Sequence, residues 1–457
     1  MYSRQNSLSI LKNTMNNSIE LNSLGRSGQP VISKNGEYIA TGNEGKIDIF
    51  DSDLNLIKSI SIPNARPYGN YAVVGIADDA RRVFVRDWNG LFASGGGLYE
   101  IDSQSGASNR IDVDWIGQTI TYQGWSLETR DIDFNNDYSK SVIAIRDTAD
   151  STNWGDQRVN IYLKDLSSGS IKRIDYNLTT NEMGFSSSPR INDNGNKIIF
   201  SSDLPLTADA PSGTNLFLWE EGGYWSKRGS FYLLNKTSEG RVFNSDYGWH
   251  ADLSGDGNLI AFQTGEALDP SDTNGVSDVY VKDINSGAII RASGNSSGGI
   301  YPRLSNNGEY VFYQVYNSQN NYLKAYNLST GEEANVPGVP ATNTPNFSSE
   351  SFESVANDSG IFWTWKDYSL EDTDGDADYY YFSLSNTSTT YTINPSVTST
   401  NEGEQVRINV TTDGVAVGTR LYWTLSGAGI DADDFSSGDI NGSRLVQSDG
   451  SLTFAHT

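Results

Sequence analysis

A short sequence unit recurs seven times along this chain, and the repetition constrains the fold more than any other feature. Each copy has a turn rich in Asn, Asp and Gly, an apolar strand, a variable loop and a second apolar strand. The turns of the seven copies lie at Asn35, Asp79, Asp137, Asn194, Asp256, Asn307 and Asp358. Asn-Gly and Asp-Gly supply the positive φ of tight hairpins, so each copy predicts antiparallel strands. The steps between turns, 44 to 62 residues, leave room for four strands and a loop.

The repeat also decides how a chain of 457 residues builds its core. A single compact core does not grow to this size, whereas a stack of repeated four-stranded units does. No segment shows a helical hydrophobic period. The sequence therefore predicts an all-β repeat array.

Composition excludes several classes of function. With 57 acidic and 32 basic residues the formal net charge is -25, and such a surface repels the phosphates of nucleic acid. No cysteine is present, which excludes disulfides and thiolate chemistry, and His250 and His456 are the only imidazoles for a zinc site or a serine triad. Excess negative charge is relieved when divalent cations bind between carboxylates, so cation sites are worth seeking.

Several copies resemble the TolB-type propeller repeat, a relative of the WD repeat. The resemblance is carried by residues 30–40, 189–200, 253–262 and 302–312. It extends over residues 28–393, is clearest in the fourth to sixth copies and is degenerate in the second and seventh. It implies a seven-bladed β-propeller in which the first strand of each blade is innermost. We expect residues 19–24, within an N-terminal segment 1–27, to add the outer strand of the last blade and close the ring.

The C-terminal part differs in composition and is rich in Thr, Ser and Val. Residues 394–457 resemble the Calx-β repeat of bacterial surface proteins, through Glu402-Gly403 after a first strand and Asp434-Phe435 before a hairpin. The resemblance implies an incomplete β-sandwich, because the chain stops inside an apparent strand. We expect the chain to be part of a longer protein.

The densest group of oxygen ligands lies in the seventh copy, between its second and third strands. Its candidate calcium ligands are Asp372, Asp374, Asp376 and Asp378. Carboxylates at alternating positions can converge on a hard cation that takes six to eight oxygens. An EF-hand is excluded because Gly375 stands at the fourth place of the loop instead of the sixth, and Ser383 stands where a bidentate Glu is needed.

The fifth copy has a similar loop. Its candidate calcium ligands are Asp269, Asp272, Asn274 and Asp278. Both loops place Asp-Thr-Asp/Asn-Gly ahead of an Asp and the third strand, which indicates a shared role. The alternative is that these are solvated acidic loops in which Asp, Asn and Gly form Asx-turns.

Three functions fit the sequence. The first is a non-enzymatic binding or adhesion module, secreted or at the cell surface, that presents a propeller face to a protein or glycan while calcium holds its loops. The second is a propeller hydrolase acting on an extracellular glycan, with Arg190 and Arg303 at the channel mouth beside Pro189 and Pro302. The third is a structural spacer in a large repeat protein.

We expect a secreted or cell-surface protein that does not use an N-terminal signal within this sequence. Residues 1–31 contain no apolar core of signal-peptide length, and no later stretch approaches the roughly 20 apolar residues of a membrane helix. The sequence predicts no membrane span and leaves the ligand, the secretion route and the oligomeric state open.

Overall fold

The computed structural model describes residues 11–12, 19–21, 30–43, 45–52, 54–62, 71–87, 97–111, 132–146, 159–175, 184–222, 229–244, 250–294, 297–316, 321–336, 351–364, 378–384, 390–396, 405–413, 420–424, 441–445, 447 and 451–456. Within these ranges every regular element is a β-strand. Over the same part of the chain there is no helix long and apolar enough to cross a bilayer. The chain forms two compact units, Met1–Leu384 and Ser385–Thr457.

The first unit contains seven antiparallel sheets in chain order. Two short strands precede them, β1 (Leu11–Lys12) and β2 (Ile19–Leu21). Sheet 1 consists of β3 (Val31–Ile32), β4 (Tyr38–Asn43), β5 (Lys46–Asp51) and β6 (Leu56–Ser61). Sheet 2 consists of β7 (Tyr71–Ile76), β8 (Arg82–Asp87), β9 (Gly97–Asp102) and β10 (Ser108–Arg110). Sheet 3 consists of β11 (Ile132–Phe134), β12 (Lys140–Arg146), β13 (Val159–Asp165) and β14 (Ile171–Arg173).

The remaining sheets repeat this order. Sheet 4 consists of β15 (Ser186–Ile191), β16 (Lys197–Ser202), β17 (Asn215–Glu220) and β18 (Ser230–Leu233). Sheet 5 consists of β19 (Asp252–Leu253), β20 (Leu259–Thr264), β21 (Asp278–Asp283) and β22 (Ile289–Arg291). Sheet 6 consists of β23 (Ile300–Leu304), β24 (Tyr310–Tyr316), β25 (Asn321–Asn327) and β26 (Glu333–Asn335). Sheet 7 contains β27 (Ser351–Val355), β28 (Ser359–Thr364) and β29 (Asp378–Ser383).

The first hairpin of each repeat is held by its own polar residues. In sheet 4 the Asn192 side-chain oxygen accepts hydrogen bonds from the backbone N–H groups of Asn196 and Lys197, at 3.0 and 2.9 Å. Gly195 supplies the left-handed residue of the turn, with φ 66°. Local turn chemistry therefore sets the register of the first two strands.

The core lies between sheets, in seven separate apolar clusters. Each cluster joins one sheet to the next, and one of them joins sheet 7 to sheet 1, where Ala356 and Tyr381 pack with Ile39 and Phe50. The succession of sheets thus closes on itself. A strand buried on both faces reads as a continuous apolar run, because successive side chains point to opposite sides.

The N-terminal strands complete sheet 7. Strand β2 pairs antiparallel with β29, with Ile19 opposite Tyr381, and β1 pairs with β2. Residues from the beginning and the end of the first unit therefore share one sheet. Of the segment 19–24 that was expected to join this sheet, Ile19–Leu21 pairs with β29, and residues 22–24 lie outside the described residues.

The second unit has two sheets. One contains β30 (Thr390–Pro395), β31 (Val406–Asp413) and β34 (Ser451–His456), and the other contains β32 (Arg420–Thr424) and β33 (Asn441–Leu445). The predicted boundary after residue 393 is too late, because β30 pairs along its whole length with β31 and the first unit ends at Leu384. The predicted Calx-β-like sandwich stays a prediction.

Candidate functional site in the central cavity

All seven sheets contribute their first strand to the lining of one cavity of about 170 Å³. One repeat position, four residues before the turn residue of its copy, lies in the lining in every copy. Its occupants are Val31, Gly75, Asp133, Arg190, Asp252, Arg303 and Ser354. From sheet 3 to sheet 6 this position alternates between Asp and Arg. These four side chains form an arc of alternating charge around the cavity, which we call the ring.

Asp252 joins three sheets through the ring. Its Oδ1 lies 3.2 Å from Nε of Arg190 in sheet 4, and both side chains are largely buried. Its Oδ2 accepts a hydrogen bond from the backbone N–H of Leu304 in sheet 6, at 2.9 Å, and its Oδ1 accepts one from the N–H of Leu253. Nη1 of Arg190 donates to the carbonyl oxygen of Pro189 at 2.8 Å.

Asp133 and Ser354 also accept hydrogen bonds from the main chain of a neighbouring sheet. Oδ2 of Asp133 accepts the backbone N–H of Ile191 in sheet 4 at 2.9 Å, and Oγ of Ser354 accepts the N–H of Ile32 in sheet 1 at 3.3 Å. In these three copies the lining position thus pairs with the main chain of the following sheet. Two ring carboxylates hold the blades together and have oxygens engaged by backbone donors.

Both arginines follow a β-bulge. The strand register shifts just before Arg190 in β15 and just before Arg303 in β23. Ser188 and Tyr301, two residues ahead of these arginines, have φ of 54° and 53°. A non-glycine residue in this region costs of order 1–3 kcal/mol and persists where the surroundings enforce it. Bulges re-aim side chains, and here both precede an arginine of the cavity lining.

One end of the cavity is closed by turns from several sheets. Nζ of Lys34 in sheet 1 lies 3.6 Å from Oδ1 of Asp193 in sheet 4, and Nδ2 of Asn306 in sheet 6 donates to Oδ2 of Asp193 at 3.1 Å. Gly255 lies against this group, and a Cβ there would stand 2.4 Å from Asp193 Oδ2. Burial raises the pKa of Asp78, next to Lys34, although the Asn35 N–H counteracts it. We call Lys34, Asp193, Gly255 and Asn306 the floor.

The opposite direction along the first strands leads to an aromatic pair. His250, two residues before Asp252, contacts Tyr301, two residues before Arg303, edge to face with ring centroids 4.8 Å apart. The backbone N–H of Tyr301 donates to Oε1 of Gln263 at 2.6 Å. This pair was not singled out from the sequence, although its offset from the repeat position could have indicated it.

Two of the predicted calcium ligands of sheet 5, Asp272 and Asp278, form buried ion pairs with Arg291. Nη2 of Arg291 lies 2.8 Å from Oδ2 of Asp278 and 3.4 Å from Oδ1 of Asp272, and all three side chains are over 90% buried. Ser293 donates its hydroxyl to Asp278 at 2.6 Å, and Tyr280 donates to Asp272. Burial raises the pKa of Asp278, which the Ser293 and Arg291 hydrogen bonds partly offset. Arg291 therefore provides one positive charge that the two carboxylates share.

The other two ligands predicted in this loop form local turns. Oδ1 of Asp269 accepts the N–H and hydroxyl of Ser271, and Oδ1 of Asn274 accepts the N–H of Val276 at 3.0 Å. These are the Asx-turns of the alternative interpretation. In the described part of the chain no three acidic or histidine side chains are grouped to hold a metal ion. Calcium at this loop stays a prediction.

The predicted ligands of sheet 7 are mostly outside the described residues. Asp372, Asp374 and Asp376 lie beyond them, and of Asp378 the main chain is described, as the first residue of β29. Sequence reasoning also missed Arg291. The equivalent Arg173 in sheet 3 pairs with Asp175 at 2.9 Å, so the recurring Arg on the fourth strand was a usable signal.

Comparison with solved structures identifies the fold. Oligogalacturonate lyase from Vibrio parahaemolyticus aligns over 82% of this chain and 96% of its own, with a TM-score of 0.52 and 12% identity. The first unit has a β-propeller fold. TolB from Acinetobacter baumannii aligns over 67% of this chain and 65% of its own length, with 19% identity and a TM-score of 0.39.

A third solved structure, from work on two prolyl endopeptidases, aligns over 84% of this chain and 54% of its own, with 12% identity and a TM-score of 0.46. No protein-family model and no curated protein matches the chain. At these identities the likeness concerns the fold, and activity has to be argued from the site.

Proposed function

We propose that the chain is a non-enzymatic binding module, a seven-bladed propeller that receives its ligand in the central cavity. The observation that carries the proposal is the alternating ring, in which charged side chains converge from four sheets on one cavity. Buried charges that are already held in place bind a complementary group without further ordering cost. The cavity is therefore preorganised for recognition.

The ring is less suited to hydrolysis of a glycan. Such catalysis needs one carboxyl group as acid and another as base or nucleophile at the reacting bond. Asp133 and Asp252 each accept two backbone N–H bonds, and Asp252 also faces Arg190. Their oxygens serve the contacts between sheets.

The wider proposal places this module outside the cell, on a surface or secreted, in an adhesive role. Residues 385–457 form the Calx-β-like part, and calcium at Asp372, Asp374, Asp376 and Asp378 holds a loop of the seventh blade. Support comes from the family resemblance and from the acidity of the chain, with its net charge of -25.

Arrays of extracellular glycans and peptides test the proposal. Val31→Trp fills the cavity at a position where other sheets carry Arg, and Ile57→Trp, at a residue that is 51% exposed on β6, is the matched control. We expect Val31→Trp to lose binding, Ile57→Trp to retain it, and the bound ligand to be recovered chemically unchanged. Unaltered binding by Val31→Trp would refute the cavity as the binding site, and cleavage of the ligand would refute the non-enzymatic role. Urea midpoints equal to wild type verify folding.

A further inference from the structure

We infer that the ligand of the cavity is the C-terminal end of a peptide chain, with its carboxylate held by Arg190 and Arg303 of the ring. This inference rests on the proposed function and names the ligand class of the same site. Three features of the cavity carry it: its two arginines, its closed floor, and the aliphatic side chains among its walls.

The charges around the cavity balance, in contrast to those of the whole molecule. The chain has a net charge of -25, yet the lining and floor hold the cationic Lys34, Arg190 and Arg303 against the anionic Asp133, Asp252 and Asp193. Asp133 and Asp252 accept main-chain N–H bonds, whose dipoles offset part of their charge. A guanidinium presents a planar fork that matches a carboxylate, so the favoured guest is a carboxylate.

Because the floor closes one end of the cavity, we expect the ligand to enter with the end of its chain. Lys34 and Asp193 come from sheets 1 and 4 and approach to 3.6 Å, and Asn306 from sheet 6 closes on the same carboxylate. An extended polymer cannot thread between these side chains. The volume of about 170 Å³ is below the roughly 300–1,000 Å³ of pockets that enclose a whole small ligand. A terminal residue is the part of a longer ligand that fits.

The walls favour a peptide over an acidic sugar. Besides the charged ring, the lining includes Val31, Val74, Ile132 and Val355. A sugar ring carries hydroxyl groups on every side, and each one loses hydrogen bonds with water against such walls. The aliphatic side chain of a terminal residue gains from the same contact, by roughly 25 cal/mol per Å².

The test uses hexapeptides of randomised sequence, immobilised through their N-termini, with a free or an amidated C-terminus. We expect binders among the free acids whose affinity falls tenfold or more on amidation. Arg303→Leu abolishes the preference for acid over amide, and Arg303→Lys keeps part of it, because the charge remains while the fork is lost. Arg81→Leu, at a side chain that is 58% exposed, leaves the preference intact.

Each other outcome overturns the inference and leaves the proposed function to its own test. Equal binding of acid and amide peptides would show that the carboxylate is not recognised. The absence of any peptide binder would show that peptides are not the ligand class. Binding of an oligogalacturonate probe that depends on Arg303 while peptides fail reassigns the cavity to acidic sugars. A preference that survives Arg303→Leu, with the urea midpoint unchanged, places the carboxylate elsewhere.

Discussion

At the residue scale, the lining position combines two tasks in one side chain. Asp133 and Asp252 are carboxylates and Ser354 is a smaller, neutral hydroxyl, but each accepts a backbone N–H from the first strand of the following sheet. A buried N–H left without an acceptor costs about 1–3 kcal/mol. Sequence repetition identified the arginines at this position, but the partners of the other side chains depend on which sheets are neighbours.

The floor depends on one glycine. Gly255→Ala would place Cβ 2.4 Å from Asp193 Oδ2 and 2.7 Å from the Asn306 carbonyl oxygen, so these atoms have to move. We expect the free energy of unfolding to fall by about 1–3 kcal/mol. Gly294→Ala, where no atom lies within 4 Å of the added Cβ, is the matched control and stays within about 0.5 kcal/mol. Equal urea midpoints for the two variants would contradict a packed floor.

Lys282 makes stability depend on pH. It donates to the carbonyl oxygens of Leu234 and Lys236, and its burial, together with the Lys236 charge, lowers its pKa to about 8. The unfolded chain keeps this proton up to a pKa of about 10.4, so between these values it binds more protons than the folded state. The contribution of this group to stability therefore rises with pH across that window.

The measurement compares wild type with Lys282→Met by urea unfolding from pH 7 to pH 10. The difference in unfolding free energy moves in favour of wild type by about 1–2 kcal/mol, with screening allowed for. The exposed Lys46→Met is the control for replacing a lysine by methionine. A difference for Lys282→Met that does not change with pH would contradict the lowered pKa of the buried ammonium.

At the element scale, strands were predictable because two local signals agree. The turn at Asn194-Gly195 and the apolar run 198–200 predicted a hairpin, and β16 extends over Lys197–Ser202. The bulges of β15 and β23 were not predicted, although Pro189 and Pro302 lack a backbone N–H and proline within a sheet is confined to edges and bulges. Arg291 was missed because it reaches Asp272 and Asp278 from a fourth strand, and strand pairing decides that contact.

The two acidic loops are expected to respond differently to calcium. Asp272 and Asp278 already share Arg291, whereas Asp372, Asp374 and Asp376 keep the alternating pattern that suits a hard cation. We expect millimolar calcium to raise the melting temperature of wild type by several degrees over chelator. Asp374→Asn removes most of the increase, and Asp272→Asn preserves it. Identical melting curves in calcium and chelator would exclude a stabilising calcium ion.

At the scale of the whole molecule, a closed succession of sheets explains how so acidic a chain stays folded. Seven clusters each bury apolar side chains between two sheets, and no sheet of the first unit has an uncovered apolar face among the described residues. Repeat proteins without closure have two terminal faces that need capping. Here sheet 1 and sheet 7 cover each other, and the sequence repeat alone did not show that contact.

Closure also depends on the strand that joins the N-terminal segment to sheet 7. Glu20 lies opposite Tyr380 in the antiparallel pair of β2 and β29. Glu20→Pro removes a backbone donor and restrains φ, so the edge loses pairing and we expect the free energy of unfolding to fall by about 2 kcal/mol. Glu20→Thr leaves the main chain able to pair and is expected to stay within about 0.5 kcal/mol of wild type. Urea midpoints and the rate of proteolysis of the first unit measure both variants. If Glu20→Pro has the same urea midpoint and proteolysis rate as Glu20→Thr, the N-terminal strand adds nothing to stability. The closed succession of sheets is then held only by the apolar cluster between sheet 7 and sheet 1.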